Sequence, residues 1–176
     1  MQVKSRGEEK FIRLFRGQNP DISSLPLYFP QRSLDIRRRG KITASKLAVF
    51  PGYVFLELND HENIHRYQWA FRRTEGFYRF LRSNKDIAPL QKRDLELVLH
   101  FIRNVGPLAG KSKVIFDENS RIVVVSGPLY GLEGRIVKVD KRKGRAKVKL
   151  DIYNDSFVID LAFEVLIKAR DQFEGL

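Results

Sequence analysis

The spacing of apolar residues changes once along the chain, and this change restricts the fold to a two-part architecture. In residues 1–104, apolar side chains recur at helical spacing in segments that alternate with short aromatic strands. After residue 112 only strand patterns remain, and apolar and charged side chains alternate strictly in residues 145–152. We therefore predict an α+β fold, with an N-terminal antiparallel sheet flanked by helices and then a small five-stranded β-barrel.

The domain boundaries follow from the turn-forming residues between the two patterns. Residues 1–104 are predicted to form the first domain, and the stretch 105–112, which contains glycine and proline, is predicted to be a linker. Residues 113–170 are predicted to form the barrel and residues 171–176 a tail. Strand segments that together make about five strands of the barrel are expected at 113–116, 122–126, 135–140, 145–152, 157–161 and 165–167.

Residues 49–58, VFPGYVFLEL, have the composition of a strand that is entered through Pro51 and Gly52. Alternation puts Tyr53 and Phe55 on one face of this strand and aliphatic residues on the other. The aliphatic face suits a core, whereas the aromatic face needs a cover, either from the rest of the chain or from a partner. If a partner supplies it, alanine at Tyr53 and Phe55 should leave the fold intact.

Other elements of the first domain are predicted from caps and turns. Ser5 and Glu8 have the spacing of a capping box that begins a first helix, which ends near residue 17. Further helices are expected at 61–73 and 92–103, and a strand at 27–36. Residues 37–41 are predicted to be a basic hairpin tip or loop, with a merely solvated loop as the alternative.

The charge balance indicates a polyanionic partner. The chain has 33 Lys and Arg residues against 21 Asp and Glu residues, a formal net charge of +12 and a pI near 10.1. Such an excess is typical of proteins that bind nucleic acid. Cysteine is absent, which excludes disulfides and thiolate metal sites. No apolar run approaches the roughly 20 residues of a membrane span, so a cytoplasmic protein without membrane contact is expected.

Two motif matches do not indicate catalysis. His61, Glu62 and His65 match H-E-x-x-H, but a catalytic zinc needs a third protein ligand and the sequence offers none in a recognisable setting. The stretch 106–112 resembles a phosphate-binding loop, but it follows a helix rather than a strand and lacks the first glycine. We therefore predict no catalytic residues, no enzyme activity, no cofactor and no metal.

Two parts of the sequence resemble one protein family in the right order. The first part resembles the N-terminal (NGN) domain of NusG-type transcription factors, and residues 122–150, with turns at Gly127, Pro128, Gly131 and Gly134, resemble the KOW motif that ends those proteins. The first resemblance rests on Gln2-Val3-Lys4-Ser5, Glu8-Glu9, Tyr28-Phe29-Pro30, Arg38-Arg39-Gly40-Lys41 and Phe50-Pro51-Gly52-Tyr53-Val54-Phe55.

The resemblance implies an elongation factor that binds bacterial RNA polymerase at the β′ clamp helices and at the β gate loop and suppresses pausing. By position, the clamp-helix candidates are Phe50, Tyr53, Phe55, Phe77 and Phe80, and the gate candidates are His65, Arg66 and Tyr67. The KOW loop with Leu129, Tyr130 and Leu132 is similar to the loop through which the family recruits Rho or a small-subunit ribosomal protein.

The strong positive charge favours a specialised paralogue, of the RfaH or LoaP kind, that acts in processive antitermination and contacts leader RNA. One alternative is a housekeeping NusG that couples polymerase to Rho or the ribosome. Another is a KOW-type ribosomal or RNA-binding structural protein. A monomer is expected. Candidate nucleic-acid contacts are Arg37, Arg38, Arg39 and Lys41, together with Lys141, Arg142, Lys143, Arg145, Lys147 and Lys149.

Overall fold

The computed structural model describes residues 1–59 and 64–166, apart from the side chain of Arg38. The chain forms two compact units. Unit one contains Met1–Pro30 and Ala48–Ile102, and unit two contains Gln31–Leu47 and Arg103–Leu176, whose described part ends at residue 166. The boundaries predicted from the sequence stay a prediction. In the stretch 105–112 the structure has a short strand, β7 (Leu108–Ala109).

Unit one combines helices with short antiparallel strand pairs. The elements are β1 (Gln2–Val3), α1 (Glu8–Gln18), a 3₁₀ turn (Pro20–Ile22), β2 (Leu27–Tyr28), β5 (Phe55–Leu56), α2 (Ile64–Arg73), β6 (Phe77–Arg79) and α3 (Lys92–Leu99). Strand β1 pairs with β6, and β2 pairs with β5. An isolated antiparallel bridge joins Gln2 to Tyr53. The α3 helix continues into a π-helical segment, His100–Val105.

The core of unit one is aromatic. Phe15 of α1 stacks on Phe71 of α2 with ring centroids 4.3 Å apart, and Phe71 meets Phe80 edge to face at 5.9 Å. Offset stacks and edge contacts of this kind add to the free energy gained by burying the rings. The helical spacing of Phe11 and Phe15 thus serves to place both rings on the buried side of α1.

Several local predictions for unit one were wrong. The α1 helix begins at Glu8 after Gly7, without a side-chain cap, so the capping box of Ser5 and Glu8 does not form. The stretch 49–58 is regular strand only at Phe55–Leu56, because a turn at Pro51 and Gly52 precedes it. The strand expected at 27–36 is interrupted before residue 31. The first residues of the helix expected at 61–73 lie outside the described residues.

Unit two contains a hairpin and a curled five-stranded sheet. Strands β3 (Gln31–Arg38) and β4 (Lys41–Ala48) form the hairpin, and β3 also pairs in parallel with β7. The five strands of this sheet are β8 (Ser112–Phe116), β9 (Ile122–Ser126), β10 (Ile136–Asp140), β11 (Arg145–Ile152) and β12 (Asp155–Val165). They lie in the order β10-β11-β12-β8-β9 and are antiparallel except for the parallel pair β12–β8.

The α+β class and the five-stranded C-terminal sheet are confirmed, with one correction. The sequence predicted separate strands at 157–161 and 165–167, but β12 runs unbroken from Asp155 to Val165. It exchanges partners along its length, pairing with β11 up to Ala162 and with β8 from Phe163. The backbone between the two predicted strands therefore stays extended. Among the described residues, no helix is both long and apolar enough to cross a membrane.

Candidate functional site

The turn at Pro51 and Gly52 is fixed by hydrogen bonds on both sides. Gly52 has a φ of +82°, a conformation that L side chains rarely adopt. Its N–H donates to a carboxylate oxygen of Glu8 at 2.6 Å, and its carbonyl accepts from the N–H of Val3 at 2.8 Å. Glu8 is only 3% exposed. The carboxylate that the sequence assigned to a helix cap therefore anchors the loop that precedes the aromatic residues.

The aromatic residues predicted to bind polymerase are mostly covered by the chain itself. Phe50 lies edge to face with Phe55, at 5.4 Å, and with Phe101, at 5.7 Å. The rings of Tyr53 and Phe55 stack at 6.2 Å. Among the candidates only Phe77 is half-buried, and its ring contacts Phe80 at 5.0 Å. The exposed fractions of the others are 1% for Phe50, 1% for Tyr53, 6% for Phe55 and 3% for Phe80.

The sequence left open whether the rest of the chain or a partner covers the face of Tyr53 and Phe55. In the structure the rest of the chain covers it. These rings support the fold of unit one, and their predicted role in binding polymerase stays a prediction.

The predicted gate residues lie on the first turn of α2. His65 and Arg66 are exposed, and Tyr67 is half-buried. The His65 ring nitrogen Nδ1 lies 3.5 Å from Nε2 of Gln68. His61 and Glu62 of the rejected zinc motif lie outside the described residues. Within residues 1–59 and 64–166, no three His, Asp or Glu side chains are grouped so that they could hold a metal ion.

The basic tip of the hairpin forms as the sequence predicted. Arg39 and Gly40 take positive φ values of 48° and 80°, the conformation that a two-residue hairpin turn with the native strand twist requires. Arg37, Arg39 and Lys41 are exposed on either side of this turn. The tip can therefore present cations to a phosphate backbone.

The base of the hairpin is tied to other parts of unit two by charged groups. Lys111 pairs with the Asp35 carboxylate at 3.0 Å, and Arg145 donates a hydrogen bond to the Asp35 carbonyl. Burial lowers the pKa of Arg32 to about 10, and nearby Asp160 partly offsets this effect. Arg145, a predicted nucleic-acid contact, is thus engaged with the hairpin backbone.

The second basic cluster is interspersed with carboxylates. On β11 the inward residues Ala146, Val148, Leu150 and Ile152 are fully buried, as their alternation predicted. The outward Lys147 lies 3.3 Å from Asp160, and Lys149 lies 3.9 Å from Asp151.

At the turn before β11 one lysine is also paired. Lys143 lies 3.9 Å from Asp140. Lys141 lies over the ring of Phe116, 4.0 Å from its centroid, while Arg142 is exposed. The positive face is therefore weaker than the cations of β11 alone suggested, because Asp140 of β10, Asp151 of β11 itself and Asp160 of β12 lie beside the lysines.

The loop before β10 is closed by a buried hydroxyl. Ser112 Oγ accepts a hydrogen bond from the N–H of Leu129 at 2.9 Å. Leu129 and Leu132 are buried, with 0% and 5% exposure, so only Tyr130, at 59%, presents its side chain to solvent. Of the three residues predicted to recruit a partner, only Tyr130 has a side chain that a partner could contact directly.

Comparison with known proteins identifies the family. Residues 1–99, more than half of the chain, match the family described as "Transcription termination factor nusG". The chain therefore belongs to the NusG family of transcription factors.

Individual relatives carry the name "Transcription termination/antitermination protein NusG". The protein from Thermus thermophilus is 27% identical over 139 residues, covering 77% of this chain and 76% of that protein. The protein from Neisseria meningitidis is 25% identical over 156 residues, covering 89% and 85%. The match thus extends from unit one into the C-terminal strands.

Proposed function

We propose that this protein is an elongation and processive antitermination factor that binds RNA polymerase through unit one and suppresses pausing and termination. The match of residues 1–99 to the NusG family carries this proposal. The β′ clamp helices and the β gate loop would be the docking sites, in the cytoplasm, with the protein acting as a monomer. No enzymatic role is proposed, since the function requires only binding.

The burial of four candidate rings refines the proposed contact. Phe77 is the half-buried member, and it rests on the buried Phe80 at 5.0 Å. A ring held in place from below loses little conformational freedom when a partner covers it. Phe77, with His65, Arg66 and Tyr67 as the gate contact, is therefore the proposed anchor. The buried rings Phe50, Tyr53 and Phe55 contact one another and would stabilise the fold of unit one.

Phe77→Ala is expected to weaken binding to a β′ fragment that carries the clamp helices by about 30-fold, since truncating an anchoring aromatic costs about 2 kcal/mol. Isothermal titration calorimetry measures this change, with circular dichroism as the check on folding. Tyr78→Ala is the matched control, because the adjacent Tyr78 is 62% exposed and points to the other face of β6. Equal affinity of a folded Phe77→Ala variant would exclude this anchor. Failure of the wild-type chain to bind would contradict the function itself.

We further propose that unit two contacts a structured leader RNA, which corresponds to a specialised paralogue of the RfaH or LoaP kind. The formal net charge of +12 and the exposed cations of the hairpin tip and β11 support this. The proposed contacts are Arg37, Arg38, Arg39, Lys41, Lys141, Arg142, Lys143, Arg145, Lys147 and Lys149. Phosphate contacts give affinity, whereas specificity requires a fit to RNA shape.

Reversing Lys147 and Lys149 to glutamate is expected to weaken RNA binding and leave clamp-helix binding unchanged. The salt dependence should also fall, by about 0.7–0.9 in the log–log slope for each phosphate that the variant no longer neutralises. Filter binding to a leader hairpin at several salt concentrations measures both effects. Arg121→Glu, an equal change of charge per residue at an exposed site outside the cluster, is the control. Equal affinity for hairpin, single-stranded and scrambled RNA would remove the support for leader recognition.

The exposed Tyr130 favours a second candidate function. As a solvent-facing aromatic beside the buried Leu129 and Leu132, it suits a protein contact with Rho or a small-subunit ribosomal protein. That would be the role of a housekeeping NusG. Loss of Rho or ribosomal-protein binding in Tyr130→Ala, with leader RNA binding unchanged, would favour this function over the first.

A further inference from the structure

The hairpin of unit two is joined to the rest of that unit through one residue, Asp35 of β3. The carboxylate of Asp35 lies 3.0 Å from Lys111 Nζ, and its main-chain carbonyl accepts a hydrogen bond from the Arg145 guanidinium. Lys111 directly precedes β8, and Arg145 is the first residue of β11. All three residues belong to unit two. Asp35 therefore holds the hairpin at two separate points of the five-stranded sheet.

This contact brings together two basic segments that are distant in the sequence. The first is the hairpin tip, which begins with Arg37, two residues after Asp35 and on the same side of β3. The second is the basic turn at residues 141–143, which ends two residues before Arg145. Asp35 and Arg145 are 110 residues apart in the chain. Because two residues of chain span at most about 7 Å, both segments lie close to the same contact.

The two segments are open to solvent, and an acid lies between them. The exposed cations are Arg37, Arg39 and Lys41 in the hairpin tip and Lys141, Arg142 and Lys143 in the basic turn. A carboxylate in such a place repels a polyanion. The side chains of Asp35 and Lys111 are 47% and 52% exposed, and an ion pair at that exposure contributes little to stability. The main effect of Asp35 is therefore expected to be on the position of the hairpin.

We propose that the hairpin tip and the basic turn bind one RNA stem together, and that Asp35 is the positioning residue that fixes the distance between them. The proposal rests on the leader RNA contact proposed above and assigns one composite site to it. A stem presents two phosphate backbones at a fixed separation, so it requires cations at a matching separation. A flexible single strand can adapt to any spacing and has no such requirement.

Removing the acid is expected to weaken the binding of a stem, the opposite of what charge alone predicts. Asp35→Ala should bind a synthetic RNA hairpin, with a stem of about 16 base pairs, roughly fivefold more weakly, because the protein hairpin must then be ordered during binding. Polyuridylate of the same length should bind at least as tightly as before, since loss of one acid raises the formal net charge from +12 to +13. Filter binding at fixed salt measures both affinities.

A matched control separates position from charge. Glu118→Ala removes an exposed acid from the turn between β8 and β9, away from the Asp35 contact, and should leave the affinity for the RNA hairpin equal or slightly higher. Circular dichroism checks that both variants are folded.

Exchanging the two charges tests the positioning role by rescue. Lys111→Asp alone places two carboxylates together and should weaken the binding of the RNA hairpin. Asp35→Lys with Lys111→Asp restores an ion pair and leaves the formal net charge at +12, so it should recover most of the preference for the RNA hairpin over polyuridylate. A variant pair in which the exchange recovers nothing would exclude the ion pair as the positioning contact.

The composite site also fixes the stoichiometry. Isothermal titration calorimetry should find one RNA hairpin per chain. Arg37→Gln in the hairpin tip and Arg142→Gln in the basic turn should each weaken this single event, by roughly eightfold in 0.1 M salt for one lost phosphate contact. Two RNA hairpins per chain, each sensitive to only one of these variants, would show two separate sites and overturn the proposal. Equal affinity for a DNA duplex of the same stem sequence would exclude RNA as the specific occupant.

The wild-type chain distinguishes failure of this inference from failure of the proposed function. If it binds the RNA hairpin no more tightly than polyuridylate, recognition of a structured leader RNA is itself contradicted. If it prefers the RNA hairpin and folded Asp35→Ala keeps the full preference, leader recognition stands and the positioning role of Asp35 is wrong.

Discussion

Replacing Tyr53 and Phe55 together with alanine is expected to unfold unit one, whatever partner this unit binds. Both side chains are buried, at 1% and 6% exposure, and their rings stack at 6.2 Å. Truncating a buried aromatic side chain costs about 3–5 kcal/mol, and two such losses approach the roughly 5–15 kcal/mol that stabilise a whole domain. The sequence analysis expected the fold to survive this change if a partner covered the two rings. Because the chain itself covers them, that expectation does not hold.

Urea unfolding followed by circular dichroism measures the effect. Tyr78→Ala should stay within about 0.5 kcal/mol of the wild type, because Tyr78 is 62% exposed. Tyr53→Phe keeps the ring but removes the hydroxyl that accepts a hydrogen bond from Gln2 Nε2 at 2.8 Å, a loss of about 0.5–1.5 kcal/mol. A wild-type transition in the double alanine variant would show that these rings are not part of the core.

Gly127→Ala is expected to destabilise unit two by more than any surface substitution. Gly127 has a φ of +95°, and a Cβ atom there would lie 2.7 Å from the Cα of Ser112. The backbone conformation alone costs a non-glycine residue about 1–3 kcal/mol, and the clash adds to this because it involves main chain rather than a flexible side chain. Moving Ser112 would also disturb its hydrogen bond with Leu129.

Gly134→Ala is the matched control, since a Cβ atom at Gly134 would meet nothing within 4 Å. It should change the free energy of unfolding by no more than about 1 kcal/mol. Thermal unfolding of both variants, followed by circular dichroism, gives the comparison. If the Gly127→Ala and Gly134→Ala variants were equally stable, the close approach of Gly127 to Ser112 would not restrict the residue at position 127.

The parts of the fold that depend on local pattern could be predicted from the sequence. Alternation in residues 145–152 placed Ala146, Val148 and Leu150 inward, because a strand fixes the side of each residue relative to its neighbours. The tip at Arg39 and Gly40 was likewise predictable from turn chemistry. Both are consequences of geometry within a few residues.

What depends on distant residues could not be predicted in this way. The alternation of side chains in residues 49–58 shows that Tyr53 and Phe55 share one face of the strand. Whether the neighbouring Phe50 is covered depends on Phe101, which is distant in the sequence and packs against its ring. Similarly, Glu8 has the spacing of a helix cap, and only the fold shows that its carboxylate accepts the amide of Gly52 instead.

The candidate nucleic-acid surfaces show the same limit. The cations of β11 were visible in the sequence. The acid that pairs with Lys147 is Asp160 of β12, and only the register of β11 against β12 shows that these two residues lie opposite each other.

The pairing of β3 with β7 has a consequence for how the protein can be divided. The hairpin Gln31–Leu47 is encoded within the first hundred residues, but its three-stranded sheet β4-β3-β7 is completed only by Leu108–Ala109. A fragment cut at residue 104 would keep the hairpin and lose β7, which leaves the hydrogen-bonding edge of β3 open to association with other chains. Which parts of this protein can be separated therefore depends on which strands pair with each other. Because paired strands are distant in the sequence, a single cut does not produce intact fragments.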